Sequence, residues 1–178
     1  MTCNIIFSGF GGQGILSAGK LVAQAAMLDG KDVSWLPSYG PEKRGGTSNC
    51  HVIVSDEPVG SPYITAPNLV IAMSKQAFDK YEELIEEGGI MIYDCNAILS
   101  EPSRDDIKYH KMPATQMSIE AGFPKLANVL FLGKLIGVTG LVKQEYIIEA
   151  LKELLPEDKH YLIPDEIKLL QMGMEYGA

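Results

Sequence analysis

Cysteine is scarce in this sequence, and so is histidine. Cys3, Cys50 and Cys95 are widely spaced and form no CxxC pair, and the chain has only three histidines. Separated thiols in odd number offer neither a disulfide framework nor the four thiolates of an ordinary iron–sulfur cluster. The histidines have no carboxylate near them at the spacing of metal ligands. We therefore expect three reduced thiols and no metal site on this chain.

Long hydrophobic runs and basic clusters are also missing. No apolar stretch reaches the roughly 18 residues of a membrane span, and Met1 leads into a short apolar stretch without a basic region or a cleavage site. The formal net charge of -8 would repel polyanions such as nucleic acids. The sequence thus predicts a cytoplasmic protein that binds neither membranes nor nucleic acid.

Apolar segments typical of strands alternate with segments of helical periodicity. Strands are predicted at 4–8, 32–36, 48–55, 69–73, 90–93 and 107–112, and helices at 14–29, after Ser74, at 128–138, at 144–155 and around Leu170. Continuous apolar strands that alternate with helices favour parallel βαβ units and a sheet covered on both faces. We predict one α/β domain over residues 1–178, Rossmann-like and doubly wound, with a mostly parallel sheet.

A glycine-rich segment follows the first predicted strand and opens the first helix. Gly9, Gly11 and Gly14 match the GxGxxG spacing, with Gly12 and Gln13 between them. Such glycines permit a tight turn and the close approach of a ligand, and the helix N-terminus offers N–H groups to a phosphate. A phosphate-bearing ligand, a closely packed partner backbone, or a purely structural role in which the helix starts close beneath the sheet all fit this pattern.

The sequence argues against a dinucleotide as the ligand. A dinucleotide-binding domain usually has an acidic residue at the end of its second strand, where it holds the ribose. Here that strand ends at Trp35 to Ser38, and Asp29 and Asp32 come before it. A free-standing NAD(P)-dependent oxidoreductase is therefore a disfavoured alternative, and a non-catalytic binding module of Rossmann type is another.

A second unusual segment, Ser38 to Gly46, follows the second strand at the edge where open α/β sheets bind ligands. Gly45 and Gly46 come after Arg44 and would let its guanidinium reach a planar or anionic group, while Glu42 could orient it. A solvated surface turn with incidental charges is the alternative.

Three segments in this order resemble the gamma subunits of 2-oxoacid:ferredoxin oxidoreductases. They are residues 9–16, residues 35–46 and residues 56–62. The Ser-Tyr-Gly-Pro-Glu form of residues 38–42 is more similar to the branch that acts on 2-oxoglutarate than to the pyruvate branch. Residues 100–178 resemble the family in length and layout only.

The resemblance implies a multi-subunit complex that decarboxylates a 2-oxoacid on thiamine diphosphate, passes electrons through iron–sulfur clusters to ferredoxin, and releases an acyl-CoA. This chain shows neither a thiamine motif nor a cysteine ladder. Thiamine diphosphate and the clusters are therefore expected on partner subunits, with coenzyme A as co-substrate. The chain alone should be inactive, should hold no cofactor, and should tend to self-associate.

The resemblance also gives the candidate cofactor-binding residues, although it identifies no catalytic residue. The glycine-rich turn would face the cofactor region, and the second segment would line the subunit contact or the substrate channel. The candidates are Gly9, Gly11, Gly12, Gln13, Gly14, Ser38, Tyr39, Glu42, Arg44, Gly45 and Gly46.

Overall fold

A computed structural model of the chain describes residues 1–39 and 47–177. Six strands within these ranges form one sheet in the order β2-β3-β1-β4-β5-β6. Three of the five adjacent pairs, β1–β4, β4–β5 and β5–β6, are parallel, whereas β3 runs antiparallel to both β1 and β2. The strands are β1 (Thr2–Phe10), β2 (Asp32–Tyr39), β3 (Thr47–Ser55), β4 (Leu69–Ala72), β5 (Ile90–Asp94) and β6 (Lys108–Met112).

Helices cover both faces of the sheet. Alternate residues of β1 point to opposite faces, so Ile5 and Phe7 join the core beneath α1, α4, α5 and α6, whereas Ile6 packs with Phe78 of α2. This arrangement confirms the predicted α/β fold with a mostly parallel sheet. The helices are α1 (Ile15–Leu28), α2 (Lys75–Glu82), α3 (Ala114–Glu120), α4 (Ala127–Thr139), α5 (Gln144–Leu154), α6 (Ile163–Glu175) and a 3₁₀ helix (Glu157–Leu162).

One local prediction was wrong, and two short helices were not predicted. Residues 37–39 were expected in a loop because Pro37 follows the apolar run, yet they belong to β2. β2 is an edge strand that pairs only with β3 among the described strands, and an edge strand tolerates a proline because one side of it needs no N–H donor. The short helix α3 and the 3₁₀ helix were not predicted at all, since neither has enough turns for a periodic pattern.

Helices α4 and α6 touch through their backbones. A Cβ atom at Gly133 of α4 would overlap the carbonyl oxygen of Leu170, and one at Gly173 of α6 would overlap that of Leu130. The buried Lys134 donates a hydrogen bond to the carbonyl oxygen of Tyr176 at 2.6 Å. This contact fixes α6, and the residues it carries, beside α4.

Among the described residues, no helix has both the length and the apolar character needed to cross a membrane.

Candidate functional site

The glycine-rich turn lies where the carboxyl ends of β1 and β4 meet. The side chain of Gln13 holds it there, since its Oε1 accepts the Phe10 N–H at 2.6 Å and its Nε2 donates to the Met73 carbonyl oxygen at 2.9 Å. Gly9 packs under this side chain, and a Cβ atom there would overlap Gln13 Oε1 and reach 3.0 Å from Met73 Cβ. Gly9 and Gln13 therefore shape the turn.

Gly11 and Gly12 are the parts of the turn that face outward. Both are exposed, and within the described residues no heavy atom lies within 4 Å of a Cβ atom added to either. Gly12 has φ 94° and Gly14 has φ 76°, in the left-handed region that favours glycine. A Cβ atom at Gly14 would also come within 2.6 Å of Asn128 Nδ2. As far as the described residues go, the backbone of residues 11 and 12 is thus open to an approaching group.

Helix α1 begins at this turn without a side-chain cap. Gly14 is its N-cap residue, and in the described part of the chain no side chain bonds its first amides and no acidic residue lies in its first turn. The first amides of a helix have no intrahelical partner, and they carry the positive end of the helix dipole. An anion placed there would accept hydrogen bonds from these amides and would interact favourably with the positive end of the dipole.

A cavity of about 440 Å³ opens beside the turn, among α1, α4, α5, α6 and the 3₁₀ helix. Gly12, Gly14 and Ser17 form part of its wall, and Lys20, Lys125 and Lys159 border it as well. The size falls within the range of about 300–1,000 Å³ typical of small-molecule sites. The apolar part of its lining comprises Leu21, Leu126, Val129, Leu151, Leu154, Leu155 and Leu162.

Asn128 of α4 joins the cavity to the start of α1. Its side-chain Nδ2 donates to the carbonyl oxygen of Gly14 at 3.4 Å. The residue is only 8% exposed, and its Oδ1 finds no hydrogen-bond partner in residues 1–39 and 47–177. Because buried polar atoms in proteins are nearly always paired, this oxygen indicates a missing N–H or O–H donor.

Glu166 of α6 is the acidic member of the cavity. It is 6% exposed, and burial raises the pKa of its carboxyl. Neither a hydrogen bond nor an ion pair to this side chain occurs in the described ranges, and the three lysines of the cavity form no salt bridge with it there. Its carboxylate oxygens are not among the buried side-chain atoms that lack a partner, so solvent reaches them from the cavity.

A smaller cavity of about 140 Å³ lies next to the turn, and Gly12 and Lys125 border both cavities. Thr115 also lines it and is held by the buried carboxylate of Asp94, which accepts the Thr115 N–H at 2.9 Å and the Thr115 hydroxyl at 2.6 Å. Asp94 thereby fixes the start of α3 at the same edge of the sheet.

The second predicted segment is anchored at this edge. Phe10 of β1 pairs with Thr47 of β3, and the Tyr39 backbone of β2 pairs with Ser48, so the strands on either side of residues 40–46 end near the glycine-rich turn. Ser38 is exposed on β2. The other predicted residues of this segment, Glu42, Arg44, Gly45 and Gly46, lie outside the described residues.

The residues of the site that sequence reasoning missed include Lys125, Asn128 and Glu166. All three belong to the half of the chain that carries no recognised motif. The one available signal was Asn128, a polar residue at the start of an otherwise apolar helical pattern. Glu166 follows Pro164 in the first turn of α6, where an acid ordinarily complements the helix dipole and attracts no attention. No group of three metal-ligating side chains occurs in the part of the chain that the structure describes.

Comparisons with known proteins give concordant matches. Residues 4–176 match the family model described as pyruvate ferredoxin/flavodoxin oxidoreductase. The chain is 38% identical over 168 residues to the 2-oxoglutarate synthase subunit KorC of Methanocaldococcus jannaschii, covering 91% of this chain and 90% of that one. It is 36% identical over 172 residues to the ketoisovalerate oxidoreductase subunit VorA of Methanothermobacter marburgensis, covering 96% of this chain but 35% of that one. The chain thus spans about a third of the length of the VorA relatives.

Two solved structures share the fold. The gamma subunit of a keto/oxoacid ferredoxin oxidoreductase from Geobacter sulfurreducens PCA superposes with a TM-score of 0.86 at 33% identity, covering 98% of this chain and 95% of that one. The 2-oxoglutarate:ferredoxin oxidoreductase from Magnetococcus marinus gives a TM-score of 0.87 at 21% identity, covering 97% of this chain and 30% of that one, and at this identity it supports the fold alone.

Proposed function

Because this chain belongs to the pyruvate ferredoxin/flavodoxin oxidoreductase family, we propose that it works as the gamma subunit of a 2-oxoacid:ferredoxin oxidoreductase complex. The family predicted from its glycine-rich turn and its two later segments is confirmed. The gamma role is supported by the relatives that it matches along most of both chains, a KorC subunit and a gamma subunit of known structure.

The substrate that we propose is 2-oxoglutarate. The form of residues 38–42 supports it, as does the identity to KorC of 38%, compared with 31% to the pyruvate synthase subunit PorC of Methanothermobacter marburgensis. The VorA relatives act, by their name, on ketoisovalerate, which makes a branched 2-oxoacid the alternative to be tested beside it.

Thiamine diphosphate and iron–sulfur clusters belong to partner subunits in this proposal. On those subunits, thiamine diphosphate would supply the decarboxylation chemistry and the clusters would supply electron transfer to ferredoxin. Two of the three thiols fit that assignment of the clusters to other subunits, because burial raises the pKa of Cys3 to about 11 and that of Cys50 to about 12. Thiols that hold their protons so firmly make poor cluster ligands.

The contribution of this chain is to hold the phosphates of coenzyme A at the start of α1. The observation that carries this proposal is the combination, around one cavity, of an uncapped helix N-terminus, three lysines and the unpartnered Oδ1 of Asn128. The helix amides and Lys125 would bind the phosphates, while Asn128 would accept a hydrogen bond from an N–H or O–H group of the same ligand. The residues orient the thiol carrier and leave the carbon chemistry to the partner's cofactor.

A contact with the backbone of a partner subunit is the second candidate for the outward face of the turn. It is favoured by Gly11 and Gly12, whose surroundings are open in the described structure. Two exposed apolar side chains elsewhere on the surface, Leu99 at 84% and Tyr63 at 72%, suit further subunit contacts, and Tyr63 lies beside Thr2 and Asn4 at the opposite end of β1 from the turn. The isolated chain should accordingly self-associate, which size-exclusion chromatography at several concentrations would reveal.

Reconstitution tests the proposal directly. The purified chain alone should be folded, colourless and inactive, and addition of the thiamine-bearing and cluster-bearing subunits should give viologen reduction that depends on coenzyme A and a 2-oxoacid. 2-Oxoglutarate, pyruvate and 2-oxoisovalerate should be compared at equal concentration, with 2-oxoglutarate fastest. Full activity of the other subunits without this chain, or oxidation of a 2-oxoacid by this chain alone, would contradict the gamma-subunit role.

A further inference from the structure

Strand β6 ends the sheet with an open edge among the described strands. It pairs with β5 alone there, so the other side of β6 has no neighbouring strand. The Lys108 N–H donates to the Gly89 carbonyl oxygen, next to β5, at 2.8 Å. Because the backbone groups of successive residues in a strand point to opposite sides, those of Tyr109 and Lys111 point away from β5. Two N–H and two C=O groups are therefore presented at this edge.

Positive charge gathers at the same edge, although the whole chain has a formal net charge of -8. The five residues of β6 include two lysines and a histidine but no acidic residue. Lys108 and Lys111 are exposed, and neither forms a salt bridge in the described part of the chain. Burial and the fields of Lys134 and Lys108 lower the pKa of His110. The edge is thus a positive patch on an acidic protein.

Protection against unwanted pairing explains only part of this charge. Lysines on an edge strand commonly prevent two sheets from joining edge to edge, and Lys108 and Lys111 suit that purpose. Lys134 does not, because it lies on α4 and is only 5% exposed. Within the described residues, its ammonium donates to the neutral carbonyl oxygen of Tyr176 and pairs with no carboxylate. A buried ammonium is destabilising, and negative charge brought to the edge of β6 would offset this effect.

We propose that the open edge of β6 binds an extended acidic segment of a partner subunit, which joins the sheet as a further strand. The inference rests on the proposed function, which supplies the partner subunits. The outward backbone groups of Tyr109 and Lys111 pair with the segment, and its carboxylates lie near the Lys111 ammonium. The opposite edge strand, β2, does not suit such a segment, since it contains Asp32 and no lysine, and Pro37 has no N–H to donate.

Hydrogen exchange resolved to single residues tests the strand addition in the reconstituted complex. In the isolated chain, the amides of Tyr109 and Lys111 should exchange faster than that of Lys108, which is bonded to Gly89. In the complex, exchange at Tyr109 and Lys111 should slow by about tenfold or more, because a backbone hydrogen bond must then open first. Protection of these two alternate residues separates strand addition from a contact made through side chains alone.

Charge reversal tests the acidity of the segment. Lys111→Glu should weaken the affinity of the chain for the other subunits by about tenfold or more, because it replaces an attraction to carboxylates with a repulsion. Lys152→Glu makes the same change of net charge on the exposed surface of α5 and should leave the affinity unchanged. The effect of Lys111→Glu should shrink as ionic strength rises, since exposed charges are screened by salt. Biolayer interferometry measures both variants.

The outcomes separate this inference from the function on which it rests. An assembled complex in which Tyr109 and Lys111 stay unprotected, or equal effects of the two charge reversals, would overturn the inference and leave the gamma-subunit role standing. Protection of the same amides in the isolated chain at high concentration would also overturn it, because a second copy would then occupy the edge. Failure of the wild-type chain to assemble with the other subunits would contradict the proposed function, and this inference with it.

Discussion

Gly19 of α1 lies directly against Cys50 of β3, so close that a Cβ atom at position 19 would overlap the Cys50 Sγ and reach 3.2 Å from Val52 Cγ2. The Cys50 side chain is fully buried there and points toward the Ile15 carbonyl oxygen at 3.6 Å. The missing side chain at Gly19 is therefore what lets α1 approach the sheet and sets the position of its N-terminus at the site.

Gly19→Ala should destabilise the chain by about 1 to 3 kcal/mol, as overpacked cores do. Alanine has a greater helix propensity than glycine, by about 1 kcal/mol, and this opposes the loss. The chain gains this amount in full only where the alanine side chain has room. Urea unfolding measures the difference, with the exposed Ser17→Ala as the matched change on the same helix. Adding Cys50→Ala to Gly19→Ala should recover part of the loss, and a Gly19→Ala chain as stable as wild type would disprove the close contact.

Gly11→Val should leave the stability of the isolated chain within about 0.5 kcal/mol of wild type, because residues 1–39 and 47–177 place no atom within 4 Å of a Cβ atom there, apart from the neighbours of Gly11 in the chain. In the reconstituted complex it should weaken the use of coenzyme A or the assembly of the subunits, since it blocks the outward face of the turn. Gly12→Val adds backbone strain at φ 94° and should cost stability of about 1 to 3 kcal/mol. Unchanged kinetics and assembly with Gly11→Val would remove the turn from the site.

Lys125→Ala should raise the KM for coenzyme A by about tenfold with little change in kcat, because a charge-assisted contact to a phosphate is lost. The effect should shrink as ionic strength rises, since an exposed lysine is screened by salt. Lys108→Ala, an exposed lysine on β6 that borders none of the cavities described here, is the control. Equal effects of the two substitutions would indicate that Lys125 acts through the overall electrostatic field of the protein rather than through a contact with a phosphate.

Asp94→Ala should destabilise the chain by about 3 kcal/mol or more, because it leaves several donors unpaired next to a buried site. The carboxylate accepts N–H groups from Asn96 and Thr115 and the Thr115 hydroxyl, and it is only 1% exposed. Thermal unfolding measures the loss. Asp79→Ala removes an exposed carboxylate that pairs with Lys75 and should change stability far less than Asp94→Ala does.

The stability of the wild-type chain relative to Glu166→Gln should fall as pH rises above about 4.5, the ordinary pKa of the glutamate carboxyl. Burial raises the pKa of Glu166 in the folded state, so the folded chain binds a proton more tightly than the unfolded one. The stabilisation is complete below the unfolded pKa and is lost as pH passes through the folded pKa. Urea unfolding from pH 4 to 8 gives the two curves. Parallel curves for the wild-type chain and Glu166→Gln would mean that the carboxyl is not buried.

The part of the fold that sequence patterns predict well is the part with strong periodicity. The continuous apolar strand ending at Met73 and the small-residue pattern of α1 lead directly to the parallel β1–β4 pair and its covering helix. The antiparallel direction of β3 cannot be predicted from the residue pattern in the same way. Its alternation of Cys50, Val52 and Val54 identifies a strand, but strand direction depends on the connection through residues that carry no apolar pattern.

Only the part of the site formed by one short segment, the glycine-rich turn, was predictable from the sequence. Gly12 and Gln13 act through the geometry of a turn, which a short motif specifies. Lys125, Asn128 and Glu166 reach the same cavity from segments more than 100 residues away, and each belongs to an element whose own pattern is explained without a ligand. Packing between distant segments brings these residues together. The spacing of residues within a single segment does not predict such packing.

The backbone contact between α4 and α6 has a consequence for the making of the protein. Gly133 and Gly173 are 40 positions apart. Glu166 belongs to α6, which is synthesised after α4. During synthesis, which adds about 5 to 20 residues per second, the sheet and α1 can assemble while the cavity still lacks one wall. A ribosome-bound chain whose α6 is still inside the exit tunnel would thus have a folded glycine-rich turn but an incomplete cavity beside it. The capacity to bind a ligand in this cavity appears only after the last helix has emerged.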